Sequence, residues 1–142
     1  MTMEVMAHGF PAGQVKQSIT SITLVNNTTK TVDTTVPAGE KWIIQSIKAV
    51  NSDDVARDVY VLIYKEVAKT NEVRRLIKKA ATVTGERVVY PSNSANTNIQ
   101  YAWAPQVLVA GNTISTTWVA GGASGGATDA DGLVIDYLRI PE

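Results

Sequence analysis

Residues 36–68 read VPAGEKWIIQSIKAVNSDDVARDVYVLIYKEVA and hold a turn, a long apolar strand, a polar reversal and a second long apolar strand. Pro37 presets φ for the second position of a type I turn, and Gly39 can take the positive φ that launches a new strand. Residues 41–50 form that strand. Strict alternation places Ile43 and Ile47 on one of its faces and Trp42, Ile44 and Val50 on the other. Asn51, Ser52, Asp53 and Asp54 can hydrogen-bond nearby backbone, so the chain reverses there. Residues 58–65 return as the partner strand, in which Val59, Val61 and Ile63 alternate with Tyr60, Leu62 and Tyr64. Both faces are largely apolar, which a strand with one wet face would not be. One expected cover is the second sheet of a sandwich, and the other is a neighbouring subunit.

The chain has 142 residues, 44% of them hydrophobic, enough for one sizeable core and short for two domains. Thirteen basic and thirteen acidic residues cancel, so the non-specific nucleic-acid affinity of a basic chain is not expected. Charge is nevertheless uneven: residues 65–79 are basic and the C-terminal part is acidic, a pattern that suits head-to-tail contact or simply two solvated faces. Cysteine is absent, which excludes disulfides and thiolate metal sites. No signal-peptide core and no apolar run near the ~20 residues of a membrane helix is present, so no membrane partner is expected.

Residues 1–17 lack periodicity and contain Phe10, the one phenylalanine, beside Pro11 and Gly13. They read as an N-terminal arm, with residues 18–142 as the folded domain. Residues 18–25 read as the first strand, with Ile22 and Leu24 opposite Ile19, Thr23 and Val25. Residues 28–36 form a threonine-rich edge strand. Residues 69–89 fit two patterns. Val73, Leu76, Ile77 and Ala80 have helical spacing, while residues 81–90 are strand-like around Gly85, and strands throughout are the favoured reading. Residues 91–105, PSNSANTNIQYAWAP, form a long loop that carries Tyr101 and Trp103. Residues 114–119 alternate strictly, residues 121–126 are a glycine-rich loop, and residues 133–140 make a closing strand. The expected fold is all-β, a single antiparallel β-sandwich or jelly roll with an extended N-terminal arm.

Catalytic patterns are missing. The one histidine, His8, sits in the arm, so neither a Ser-His-Asp triad nor a histidine metal cluster can be assembled. Asp129-Ala130-Asp131-Gly132 resembles the start of a calcium loop, lacks the further acidic ligands, and reads as a turn. The glycine-rich loop has no following Lys-Ser/Thr or helix to cradle phosphate. No catalytic residue, metal or cofactor is expected.

Four short motifs carry a resemblance: VPAGEKW at residues 36–42, SIKAVN at 46–51, VLVAGNTI at 107–114 and YLRI at 137–140. In this succession the chain resembles the small β-sandwich virion proteins of tailed bacteriophages over about residues 35–140. It departs from their pattern in Asn112, where they tend to Asp, and in an Asn- and Ala-rich insert around residues 92–98. The resemblance implies a non-enzymatic virion protein, assembled in the host cytoplasm and working in symmetric oligomers. The expected function is capsid decoration that binds and stabilises the assembled head, with a neck, tail or fibre component as the alternative. Expected partners are the chain itself, as a trimer, and the major capsid protein or other virion proteins. The residues expected to make these contacts are Phe10 in the arm, Tyr60, Leu62 and Tyr64 on the central strand, Arg74, Arg75, Lys78 and Lys79 in the basic segment, and Tyr101 and Trp103 in the long loop. A glycan- or host-receptor-binding module is the competing class, and it would place Tyr101, Trp103 and Trp118 on a surface platform where rings stack on sugars.

Overall fold

The computed structural model describes residues 13–91, 106–122 and 125–142. Over these residues the chain forms β1 (Gln14–Leu24), β2 (Lys30–Thr35), β3 (Glu40–Val50), β4 (Arg57–Tyr64), β5 (Glu72–Thr82), β6 (Arg87–Tyr90), β7 (Gln106–Val109), β8 (Thr113–Trp118) and β9 (Ala127–Pro141). All pairings are antiparallel. One sheet has the order β1-β9-β3-β6, with β7 also on β3, and the other the order β2-β8-β4-β5. The chain is thus an all-β sandwich, as its short alternating strands predict.

The core lies between the sheets. Ile22 and Leu24 of β1, Leu133 and Ile135 of β9, and Trp42, Ile44, Ile47 and Ala49 of β3 face Val59, Val61 and Ile63 of β4, Leu76 and Ile77 of β5, and Ile114 and Trp118 of β8. Ile47 corrects the simple alternation, since it is fully buried beside Ile44 rather than outward with Ile43. The cause is a β-bulge between Ile44 and Ser46 against β9, whose extra residue returns the following side chains to the core face.

Bulges also explain the segment that fits two patterns. Strand β5 is a strand, and its register against β4 shifts between Val61 and Leu62 and again between Ile63 and Tyr64. Each shift adds a residue to β5, so adjacent Leu76 and Ile77 are both buried. Apolar residues thereby fall three or four apart, which imitates a helical period on an extended backbone. Strand β9 departs from expectation in the same way. Asp129 to Gly132 lie within the strand rather than in a turn, because only Ser21 of β1 stands between Thr20, opposite Leu133, and Ile22, opposite Asp129. Gly132 is required there, since a Cβ would come within 2.6 Å of the Ile22 side chain.

Two boundaries shift. Strand β1 begins at Gln14, and Gln14 to Gln17 pair with Arg139 to Asp136. Four residues assigned to the arm therefore belong to the sheet, their polar inward positions having hidden the strand period. The turn before β3 also opens one residue later than expected, because Glu40 N donates to Pro37 O at 3.3 Å and Gly39 takes φ 79°. Pro37 thus sits first in the turn rather than second.

The reversal between β3 and β4 has a buried polar centre, although Asp54 and Ala56 are exposed. Asn51, Asp53 and Arg57 are 0%, 0% and 1% exposed. Arg57 Nε and Nη2 both lie 2.7 Å from Asp53 Oδ2, while Nη1 donates to Thr28 O at 2.7 Å and Nη2 to Val25 O at 2.8 Å. Asn51 Nδ2 donates to Thr82 O at 2.7 Å and to Val55 O at 3.0 Å. Removing the cation of a buried pair leaves an uncompensated buried charge. Arg57→Ala should therefore cost about 3–5 kcal/mol, read as a lower urea midpoint at unchanged m-value; an unaltered midpoint would show that the pair contributes nothing to folding.

Candidate docking face

Strand alternation sends Tyr60, Leu62 and Tyr64 to the outer face of the four-stranded sheet, where each is half-buried. Tyr60 stands between Lys78 of β5 and Thr117 of β8, Leu62 between Arg75 and Ser115, and Tyr64 between Glu72 and Thr113. Strand β2 continues these rows with Thr31, Asp33 and Thr35. Hydroxyls of Thr31 and Thr117 lie 3.2 Å apart, and those of Thr35 and Thr113 lie 3.0 Å apart. The face is therefore apolar on β4, carries Lys78 and the Arg75–Glu72 ion pair on β5, and is hydroxylic toward β2 except at Asp33.

Tyr60, Leu62, Arg75 and Lys78 line a groove of about 200 Å³. Lys78 Nζ stands 5.7 Å from the centre of the Tyr60 ring, close enough for a cation–π contact. The Tyr60 hydroxyl donates to Asp58 Oδ2 at 3.2 Å, and burial together with that carboxylate pushes the phenol's pKa up. Arg75 Nε and Nη2 reach Glu72 Oε1 and Oε2 at 3.0 and 3.3 Å, a fork that holds the guanidinium flat beside Leu62.

The basic segment does not act as one patch. Arg74 faces the gap between the sheets, where Nη1 donates to Gln106 Oε1, and Gln106 Nε2 in turn donates to the Tyr90 hydroxyl at 3.1 Å. Lys79 Nζ pairs with Glu86 at 3.5 Å with its side chain 14% exposed. Both were expected at the contact surface. Strand alternation with bulges sends them inward of it, opposite Ile63 and Val59, while Arg75 and Lys78 stay out. Phe10, Tyr101 and Trp103 lie outside the described residues.

Trp118 is fully buried and its Nε1 donates to Val50 O at 3.0 Å. It belongs to the core, so the proposed sugar-stacking platform loses one of its three rings. Among the described residues no group of three His, Cys, Asp or Glu could hold a metal ion. The sequence reading missed the outer face of the other sheet, where Val15, Ile19, Val107 and Val109 are 68%, 53%, 48% and 47% exposed. Ile43 on β3, apolar and outward, was the signal that could have found it.

The β4–β5 turn positions the face through one carboxylate. Glu66 Oε1 accepts from Thr70 N (2.7 Å), Thr70 Oγ1 (2.6 Å) and Asn71 N (2.8 Å), and Oε2 accepts from Asn71 Nδ2 (3.1 Å). No protein-family model matches the chain, and no curated protein shows detectable similarity to it.

The Thr70 hydroxyl, with the Asn71 side chain and backbone, lowers the Glu66 pKa from 4.5 to about 2. A depressed folded-state value means that this contribution is present above about 4.5 and is lost as pH falls toward about 2. The protection of the Thr70 and Asn71 amides, measured relative to the intrinsic exchange rate at each pH, should therefore fall across that window, with the Glu66 carboxyl carbon titrating near its lower end. A Glu66 midpoint at the ordinary glutamate value would overturn the assignment.

Proposed function

We propose that the chain is a non-enzymatic structural protein of a tailed-phage particle, which docks on the assembled head as a decoration protein through the outer face of its β2-β8-β4-β5 sheet. The observation that carries this reading is the Tyr60–Leu62 groove with Arg75 and Lys78 on its rim. Such a face suits an acidic, partly apolar protein surface, with the cations giving orientation and on-rate and the apolar floor giving contact area.

The resemblance to small phage virion proteins supports the same reading, and three of its four motifs come together in space. Val36 N donates to Asn112 O and Gly111 N to Val36 O, each at 2.9 Å, so the VPAG and AGNT turns are bound to one another. The closing strand joins them, since Glu142 N donates to Gly39 O at 2.8 Å. Three of the four motifs thus build one end of the sandwich, while SIKAVN runs down β3 to Asn51 at the other end.

A protein that binds the assembled lattice and not its free subunits stabilises the lattice by mass action. Even ~1–2 kcal/mol per contact, a scale that already alters protein abundance in cells, becomes decisive over many symmetric copies. Particles stripped of the protein should therefore rupture at lower temperature, and adding purified protein back should restore them. Arg75→Glu with Lys78→Glu should fold normally and fail to restore, because like charges then meet at the docking surface. Identical rupture temperatures for stripped and decorated particles would remove the head-stabilising function and leave a neck or tail location.

A further inference from the structure

Among the described residues, strand β1 is an edge of its sheet, paired to β9 alone. An edge strand presents main-chain donors and acceptors that another strand can satisfy. The first half of β1 also has its polarity reversed. Lys16, Ser18 and Thr20 share rows with Tyr137, Ile135 and Leu133, hence with the core face, yet all three are polar. The apolar residues stand outward instead, Val15 at 68% and Ile19 at 53% exposure. Past the irregularity at Ser21 the pattern returns to normal, with Ile22 and Leu24 buried.

Val15 and Ile19 flank Gln17 symmetrically, two residues on either side. Antiparallel pairing of this strand with an identical one about an axis at Gln17 sets Val15 opposite Ile19 of the other copy, twice. It sets Lys16 opposite Ser18 and Gln14 opposite Thr20. No like charges stand directly opposite. Gln17 is held in place on the axis, its Nε2 donating to Asp136 Oδ1 at 2.8 Å while Ser46 Oγ donates to Asp136 Oδ2 at 2.6 Å. The pairing also extends an existing apolar row, because Val15 aligns with Leu138, Ile43 and Val107.

The geometry points to a second copy of this chain as the partner of the β1 edge, joined by two-fold antiparallel pairing centred on Gln17 into one continuous sheet across both copies. This contact gives two-fold symmetry rather than the expected trimer, and it leaves the Tyr60 face of both copies open. It uses the other sheet and does not depend on the particle reading.

The chain has no cysteine, so one introduced thiol reports the contact. Residues opposite one another in an antiparallel pair have Cα atoms about 4.5–5.5 Å apart, within disulfide reach. Under mild oxidation Gln17→Cys should give a disulfide-linked dimer many times faster than Thr31→Cys, a control on the β2 edge. Val15→Cys and Ile19→Cys should link to each other in a mixture faster than either links alone. Ile19→Lys in the unmodified background should shift sedimentation from dimer to monomer while the circular dichroism spectrum stays unchanged. A wild-type monomer at high micromolar concentration, equal linking of Gln17→Cys and Thr31→Cys, or a dimer that survives Ile19→Lys would each overturn the proposal.

Discussion

The sandwich depends on how its crossovers are satisfied at one end. Four connections pass between the sheets there, β1 to β2, β3 to β4, β5 to β6 and β8 to β9. Buried backbone carbonyls in such connections need partners, and no ladder supplies them. Arg57 provides them from its planar fork, reaching Thr28 and Val25 in the first crossover and Val119 in the last, while Asp53 neutralises it from within the second. Asn51 adds the third crossover through Thr82 O, and its own backbone pairs with Gly85 and Glu86. A guanidinium suits this task better than an ammonium, since its donors are fixed in directions that meet several carbonyls at once. The opposite end has fewer crossovers, and there Val36 is bound to Gly111 and Asn112 by main-chain bonds, while the Asn112 side chain accepts from Val109 N and donates to Lys65 O.

The clamp is carried by NSDDVAR, a stretch whose composition reads as a polar reversal. That residues 51–54 turn the chain was legible, because Asn and Asp bond nearby backbone in any context. That they turn it inside the protein was not, because burial of Arg57 follows from carbonyls contributed by segments 29 and 32 residues away. Legibility elsewhere tracks the regularity of the ladder. Strands β4 and β8 keep strict alternation, and their inward residues Val59, Val61, Ile63, Ile114 and Trp118 follow from the sequence period. Strands β3, β5 and β9 carry bulges, and each bulge moves later side chains to the other face. The misassigned residues Ile47, Arg74 and Lys79 lie on bulged strands for this reason.

The same reasoning divides the candidate docking residues. Tyr60, Leu62 and Tyr64 were legible because β4 is regular, and Arg75 and Lys78 join them because the register shifts of β5 happen to keep both outward. A sequence run of basic residues cannot reveal that split. Only the pairing partner of each residue does, with Ile63 drawing Arg74 inward and Leu62 holding Arg75 out.

Once the inner faces and the crossover end are satisfied, folding asks less of the outward positions, which then contribute mainly through cross-strand pairs such as Thr31 with Thr117. The two outer faces differ in kind. One offers a groove with Lys78 over the Tyr60 ring and a hydroxyl ladder, features that suit the oriented contact proposed above. The other offers aliphatic rows that run to an open strand edge, the chemistry of sheet extension between identical chains. A contact of the first kind is tuned by salt and charge, whereas one of the second kind is tuned by backbone geometry and apolar area. Because the faces lie on opposite sides of one rigid core, a chain can use both at once: pairing through β1 extends one sheet sideways and leaves the groove of each copy pointing away from it, so that two copies present two docking faces in a fixed relation.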